Sequence, residues 1–201
     1  PMETDVRPDT LAQMEAALPH SARLFPDIQF DAIGFGCTSA ATVIGPAQVA
    51  NAVKTVCPNA EVSNPLSAII AAARELDAER IGFITPYIAD VSAKLRQRLQ
   101  QSGFEISHFA SFEEGDDRVV ARITPDSILK AIKDVAKAAP CDAIVVSCTN
   151  LRCLDIIAQA EEITGIPIIT RNQALAWHML HLSGINIQRP EFGQLLTVSA
   201  R

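Results

Sequence analysis

Two cysteines of this 201-residue chain lie in nearly identical sequence segments. Residues 31–39 read DAIGFGCTS and residues 142–150 read DAIVVSCTN, so that Cys37 and Cys148 each precede a threonine. A thiolate is a strong nucleophile, and a cysteine can also remove or deliver a proton. For one isolated cysteine, a small buried apolar side chain would be the simpler interpretation. The repetition instead favours two functional thiols, one from each copy of the segment.

Two weaker repeats flank this segment, in the same order in both copies. Residues 8–11 (PDTL) are matched by residues 125–128 (PDSI), and residues 64–68 (NPLSA) by residues 172–176 (NQALA). Several segments recurring in one order indicate a duplicated unit. Two copies pack most simply about a pseudo-two-fold axis, which would place the thiols on opposite walls of one cleft. For near-attack contacts with one small molecule, we expect the sulfurs to lie roughly 6–9 Å apart.

Short apolar strands alternate with helical segments along the chain. This alternation predicts an α/β fold with parallel sheets, arranged as two pseudo-symmetric Rossmann-like lobes. We assign residues 1–78, with 171–201 packing back, to the first lobe and residues 79–170 to the second. Residues 80–110 supply a strand, a helix and a strand that the first repeat lacks. We therefore expect these residues to be a fragment of a longer polypeptide; a genuinely shortened first lobe is the alternative.

Three local predictions concern the surroundings of the thiols. Residues 87–101 and 151–164 are predicted to be helical, and residues 111–117 to form a loop. Each Cys-Thr pair then lies between the carboxyl end of a strand and the next helix, where open α/β sheets bind ligands. Backbone amides and the positive end of a helix dipole at this place favour an anion, and they favour thiolate over thiol.

Small polar side chains stand directly beside both thiols. Thr38 and Ser39 follow the first cysteine, and Thr149 and Asn150 follow the second. Their hydroxyl and amide groups can donate hydrogen bonds to a carboxylate. We therefore expect them to bind a small carboxylate substrate.

The composition argues against several other classes of function. A formal net charge of −6 with scattered basic residues does not indicate a partner such as nucleic acid or an anionic membrane. Five cysteines without a disulfide framework, and no secretory signal, indicate a reducing cytoplasm. Metal-binding Cys-x-x-Cys spacing and glycine-rich nucleotide motifs are missing, so no metal or cofactor is expected. His178 and His181 could ligate a metal from one helix face, although a helix-surface or interlobe contact is the simpler interpretation.

The two Cys-Thr motifs resemble those of the aspartate/glutamate racemase superfamily. Ile84–Tyr87 (ITPY) and Arg171–Trp177 (RNQALAW) are more specifically similar to its branch of maleate cis-trans isomerases and arylmalonate decarboxylases. Ser147–Arg152 is most similar to the ectoine-utilisation members of that branch. The resemblance covers nearly the whole chain and implies two pseudo-symmetric α/β lobes. It also implies catalysis without metal or cofactor on a small carboxylate held between two cysteines.

The resemblance implies roles for individual residues. Cys37 would be the nucleophile or base of the first lobe and Cys148 its partner in the second. Tyr87 would donate a hydrogen bond to a substrate carboxylate, or else pack on the sheet. Asp117 matches a substrate-binding asparagine of the maleate isomerases, and an ionised aspartate would repel a dicarboxylate. Either the correspondence is shifted or the substrate differs, for example a monocarboxylate or an amine-bearing acid; Arg152 could balance this charge or lie at the surface.

Two opposed thiols suit two reactions. In a racemase one thiolate removes a proton and the opposite thiol delivers one, whereas in a maleate-type isomerase one thiolate adds to the double bond before rotation and elimination. Tyr87 and the RNQALAW segment favour the isomerase, with a maleate-like acid as substrate. Decarboxylases of the branch keep only the second-lobe cysteine, so Cys37 counts against that reaction. An amino-acid racemase, a carboxylate-binding module and a redox dithiol stay open, and we expect a homo-oligomer, dimer or tetramer.

Overall fold

A computed structural model describes residues 8–198, with side chains from residue 13 onward, as two parallel β-sheets surrounded by helices. The strands in this part of the chain are β1 (Ala32–Gly34), β2 (Glu61–Ser63), β3 (Arg80–Tyr87), β4 (Glu105–Glu114), β5 (Ala143–Val146) and β6 (Ile168–Thr170). The α-helices there are α1 (Pro8–Ala22), α2 (Thr38–Ile44), α3 (Pro46–Lys54), α4 (Pro65–Glu75), α5 (Ala89–Gln101), α6 (Asp117–Val120), α7 (Pro125–Ala138), α8 (Ile157–Thr164) and α9 (Arg171–Leu182). The predicted α/β class with parallel sheets is confirmed.

The larger sheet is built around the apolar strands β3 and β5. Its strand order is β4-β3-β5-β6, and every neighbouring pair is parallel. Phe83 and Val145 have no exposed surface, as expected for parallel strands that helices cover on both faces. Ile84 pairs with Val146, and Val146 pairs with Thr170. The ends of β5 and β6 therefore lie side by side, β3 continues past them to Tyr87, and the residues that follow these strands gather at one edge of the sheet.

The smaller sheet pairs β1 with β2 in parallel, with Gly34 opposite Ser63. Cys37 follows β1 after a short turn, and Asn64 follows β2 directly. The Asn64 side chain accepts hydrogen bonds from the backbone N–H groups of Leu66 and Ser67, both at 3.1 Å, and so begins α4. The carboxyl edge of this sheet therefore carries Cys37 as the edge of the larger sheet carries Cys148.

Helices α4 and α9 occupy equivalent places in the two halves, each following the last strand of its sheet. They pack against each other, and α9 also contacts β1 and β2. Ser63 Oγ lies 2.8 Å from His178 Nδ1 and links β2 to α9. The contact between α4 and α9 therefore joins the elements that follow the two sheets.

The lobe boundaries at residues 78 and 170 stay a prediction. Within residues 171–201, α9 lies on the smaller sheet, whereas the short 3-10 turns at 190–192 and 194–197 pack against α8 and β6 of the larger one. Leu195 and Leu196 are buried in the core of the larger sheet, and this burial draws the segment there. Residues 1–7 and 199–201 of the predicted first lobe lie outside the described residues.

The three local predictions near the site were right only in part: α5 (Ala89–Gln101) and α8 (Ile157–Thr164) lie within the predicted helices, but the bounds differ. Tyr87 ends strand β3 instead of starting a helix, because it pairs with Glu114 where β3 and β4 continue beyond their predicted ends. The same pairing makes residues 111–114 strand, and Asp117 begins α6. After Cys148 the chain stays irregular until a 3-10 turn at Leu154–Ile156 and α8 from Ile157.

Candidate active site

Cys148 lies at the carboxyl end of β5 with its side chain only 4% exposed. The backbone N–H of Asn150 donates to Cys148 Sγ at 3.3 Å. Burial raises the pKa of Cys148, and the nearby charge of Asp117 raises it further. A hydrogen bond from Tyr87, the Asn150 N–H and the positive charge of Arg171 lower this pKa. Cys148 is therefore a thiol at rest, in surroundings that can also stabilise its thiolate.

Tyr87 reaches Cys148 from the neighbouring strand. Its side chain is buried, and it lies close enough to Cys148 to lower the pKa of that thiol. Burial raises the pKa of Tyr87 well above its ordinary value, and the charge of Cys148 acts in the same direction. The hydroxyls of Ser92 and Ser111 donate to the Tyr87 carbonyl and fix the backbone at this point. The tyrosine is thus a neutral hydrogen-bond donor held at the sulfur.

Asp117 is the first residue of α6, which the side chain of Asp116 caps by accepting from the Arg118 N–H at 2.8 Å. Asp117 is half-buried, and its charge raises the pKa of both Cys148 and Tyr87. The structure therefore brings Asp117 within electrostatic reach of the second thiol.

Cys37 stands immediately before α2 and is half-buried. Its sulfur lies 3.7 Å from Ser39 Oγ. Thr38 and Ser39 are buried, and Thr38 Oγ1 has no hydrogen-bond partner among the described atoms. This side of the candidate site thus has a more exposed thiol and, next to it in the chain, a buried hydroxyl without a partner.

Arg171 is a further candidate site residue, which the sequence indicated only as part of the RNQALAW segment. It is the first residue of α9, directly after β6, and it is completely buried. Its Nε and Nη2 donate to Ser147 Oγ at 3.1 and 2.6 Å. Burial lowers the pKa of Arg171 to about 10, while Tyr87, Cys148 and Cys37 act to raise it. The charge of this guanidinium is therefore within electrostatic reach of both thiols, which follow strands of different sheets. A charged residue directly after an apolar strand at the ligand-binding edge was the signal available in the sequence.

A cavity of about 360 Å³ opens beside Cys148. Its lining includes Thr149 and Asn150, and also Arg152, whose side chain is exposed. Asn172 on the opposite wall donates from Nδ2 to the Thr149 carbonyl at 2.9 Å. A separate cavity of about 470 Å³ lies at the amino edge of the smaller sheet, and its lining contains none of the predicted site residues. Of these two cavities, the one beside Cys148 is lined by predicted site residues, and its lining does not include Cys37 or Tyr87.

The histidine pair on α9 has other partners. His178 faces Ser63, and the ring of His181 stacks on Trp177 with 5.4 Å between ring centroids. Over residues 8–198, no three His, Cys, Asp or Glu side chains stand close enough to hold a metal ion. Nor does any helix in that range have the length and apolar character needed to cross a membrane.

Comparison with known proteins places these residues in a family context. The chain is 28% identical to a maleate isomerase of Nocardia farcinica over 199 residues, which cover 95% of this chain and 79% of that protein. It is 27% identical to an arylmalonate decarboxylase of Bordetella bronchiseptica over 135 residues, 66% of this chain and 56% of that protein.

A solved structure extends the likeness to three dimensions. The Nocardia farcinica maleate cis-trans isomerase, in a cysteine-to-serine variant with a covalently bound succinylcysteine intermediate, matches with a TM-score of 0.85 and 26% identity. The match covers 96% of this chain and 82% of that one. The family model described as arylmalonate decarboxylase (Amdase) matches residues 52–196. Because this match takes in well over half of the chain, the protein belongs to the arylmalonate decarboxylase family.

Proposed function

We propose that the protein is a cofactor-independent cis-trans isomerase that acts on a small, maleate-like carboxylate through two cysteines. The observation that carries this proposal is the presence of Cys37 in addition to Cys148, each at the carboxyl end of a parallel strand. Both thiols interact with the same buried guanidinium, which supports a shared site. The likeness to a maleate isomerase along nearly the whole chain supports the reaction class.

The surroundings of the two thiols suggest a division of roles. Cys37 is the more exposed sulfur and serves as the thiolate nucleophile. Cys148 serves as the proton donor, because burial raises the pKa of its thiol and keeps it protonated at neutral pH. A succinylcysteine in the related enzyme, in a variant that had lost one cysteine, supports a covalent adduct on the cysteine that stays.

The proposed reaction proceeds in two balanced steps. The Cys37 thiolate forms a bond to one olefinic carbon, the π pair moves to the other carbon, and that carbon takes the proton of Cys148. Rotation about the new single bond follows. The Cys148 thiolate then removes a proton from the same carbon, the double bond re-forms in the trans geometry, and the bond to Cys37 breaks. Each sulfur returns to its starting protonation state.

Polar groups around the thiols would hold the substrate carboxylates. We assign Thr38, Ser39, Thr149 and Asn150 to this role, together with the Tyr87 hydroxyl. The unpartnered Thr38 Oγ1 supports the assignment, because a buried hydroxyl without a hydrogen bond is unfavourable until a ligand satisfies it. Asp117 would limit the negative charge that the site tolerates.

We further propose that the enzyme works in the cytoplasm as a dimer or tetramer. Free Cys37, Cys57, Cys141, Cys148 and Cys153 suit a reducing compartment. The exposed apolar side chains of Ile88 and Val119, which are 44% and 43% accessible, could be covered by a second copy. Light scattering on the purified protein measures the mass directly; a monomer would contradict the oligomer.

The function is tested by proton NMR of purified enzyme with maleate in D₂O. We expect the maleate signal to fall as a fumarate signal grows, without added metal or cofactor. Exchange of the α-proton of aspartate or glutamate without olefin isomerisation would replace this proposal with a racemase, and release of CO₂ from arylmalonates would replace it with a decarboxylase. Tight binding of maleate without turnover would indicate a binding module.

Chemical modification provides a second test. Iodoacetamide should inactivate the enzyme through Cys37 or Cys148, and maleate should protect it. The variant Cys57→Ser is a matched control, because Cys57 lines the cavity at the other edge of the smaller sheet. It should be inactivated as fast as the wild type. Inactivation that tracks Cys57 modification would contradict the two-thiol site.

A further inference from the structure

Arg171 is a buried cation without an acidic partner. Its side chain has no exposed surface, and none of the ion pairs formed by the described residues involves it. Its Nη1 is buried without a hydrogen-bond partner among the described atoms. Removing a charged group from water is strongly unfavourable unless an opposite charge compensates it. The buried Arg171 guanidinium therefore requires a compensating negative charge.

The groups around the guanidinium limit which part of the protein can carry that negative charge. Ser147 binds Nε and Nη2, but it is neutral. The ionisable groups that interact with Arg171 are Tyr87, Cys148 and Cys37, and all of them are weak acids. The tyrosine stays neutral because it is buried. The two sulfurs remain as the groups of the protein that can carry the compensating charge.

We propose that Arg171 is the positioning counter-cation for the one negative charge that Cys37 and Cys148 exchange. This inference rests on the proposed isomerisation, in which the charge begins on Cys37 Sγ and lies on Cys148 Sγ once the substrate has been protonated. A single cation, anchored on the residue before Cys148 and with Nη1 unpartnered, can stabilise the charge at either end of this transfer.

The geometry explains why an arginine stands here. A guanidinium is planar and presents its donors in a rigid fork, so that two N–H groups can be anchored while a third nitrogen stays available. Ser147 provides this anchor and directly precedes Cys148 in the chain. The anchor thus fixes the cation relative to the second sulfur, and the charge need not be recruited from a flexible surface side chain.

Other ionisable groups also face Cys148 and must be considered in any titration. Tyr87 approaches from β3, Asp117 from α6, and Cys153 from the turn before α8. Asp117 opposes the thiolate, and burial raises the pKa of Cys153 to about 12, so that it stays protonated. Arg171 is the positive group among those that act on Cys148, and its removal should therefore be visible.

The test is the pH dependence of iodoacetamide alkylation at Cys37 and Cys148, resolved by peptide mass spectrometry. In Arg171→Met we expect the midpoint of alkylation to rise by about one pH unit or more at one or both sulfurs. Arg171→Lys, which keeps the charge, should restore most of the shift. Arg80→Met is the matched control, because it removes a positive charge from an exposed pair at the amino edge of the sheet, and it should leave both midpoints unchanged.

Folding is checked by circular dichroism. Should Arg171→Met fail to fold, Arg171→Gln keeps a donor for Ser147 without the charge and should show the same shift. Unchanged midpoints in a folded, uncharged variant would overturn the proposal, and so would an equal shift in Arg171→Lys. Alkylation does not depend on turnover, so a missing maleate isomerase activity with a shifted midpoint would reject the proposed function while keeping the role of Arg171 at the thiols.

Discussion

The Tyr87 side chain lies beside Cys148, because Tyr87 ends β3 and Cys148 follows β5, its neighbour in the parallel sheet. This contact lowers the pKa of Cys148, while burial raises it. The tyrosine itself stays neutral because its own pKa is raised well above the ordinary value. It is therefore a donor that stabilises the thiolate without competing for the charge.

Replacement of Tyr87 by phenylalanine removes this donor and keeps the ring. We expect the pKa of Cys148 to rise and kcat/KM to fall about tenfold to a hundredfold, since a hydrogen bond to a charged group contributes about 1.5–3 kcal/mol. Steady-state kinetics with maleate and peptide-resolved alkylation measure the two effects. If both quantities in a normally folded Tyr87→Phe match the wild type, the hydroxyl has no function at the sulfur.

Loss of either thiol should remove most of the enzymatic activity. Cys37→Ser and Cys148→Ser should each lose about two to four orders of magnitude in kcat, because each removes a group that acts on the reacting atoms. The double variant should be scarcely worse than either single one, since the residues work as a unit. Cys57→Ser should keep wild-type turnover. An active Cys37→Ser beside an inactive Cys148→Ser would instead point to single-thiol, decarboxylase-like chemistry.

The fold and the two thiols could be predicted because their signals are local and repeated. The segment that contains Cys-Thr occurs twice. Buried parallel strands also have continuous apolar sequences, such as Ala143–Val146. The register of the sheet then places whatever follows those strands at one edge. Cys148 and Arg171 reach the same place in this way, and so does the Tyr87 that ends β3.

The contacts of these residues could not be predicted, because tertiary pairing decides them. Tyr87 reads as a helix start after proline, yet the pairing of β3 with β4 extends the strand through it. Arg171 gives no sign in the sequence that it is fully buried, since isolated charged residues are normally exposed. Its burial follows from the packing of α9 between the sheets, which the three-dimensional structure alone reveals.

Asp117 is expected to control how much negative charge the site accepts. Its charge raises the pKa of Cys148 and of Tyr87, so Asp117→Asn should lower both. The same change should lower KM for a dicarboxylate by roughly threefold to tenfold, because a like charge near the substrate is removed. A monocarboxylate substrate should respond less. Asp126→Asn, an exposed change at the start of α7, is the control, and an equal effect there would exclude a local role for Asp117.

Asp142 is the first residue of the second repeated segment. It stabilises the amino edge of the larger sheet, opposite the carboxyl edge that carries Cys148. Its Oδ2 accepts from the backbone N–H of Glu79 and of Arg80 at 3.2 and 2.8 Å, and Oδ1 lies 2.7 Å from Arg80 Nη2. The Arg80 side chain, followed by these backbone donors, lowers the pKa of Asp142 to about 2 from 3.8. The carboxylate thus ties the start of β3 to the start of β5.

Because the folded-state pKa of Asp142 is below the unfolded one, its contribution to stability is complete above pH 3.8 and disappears as the pH falls through about 2. We expect Asp142→Asn to lower the free energy of unfolding by about 1 kcal/mol at neutral pH, a modest value because the ion pair is partly exposed and screened. Urea unfolding at several pH values measures the difference, which should shrink in acid. Asp27→Asn, in an exposed loop, should show no such dependence, and a pH-independent loss in Asp142→Asn would contradict the electrostatic explanation.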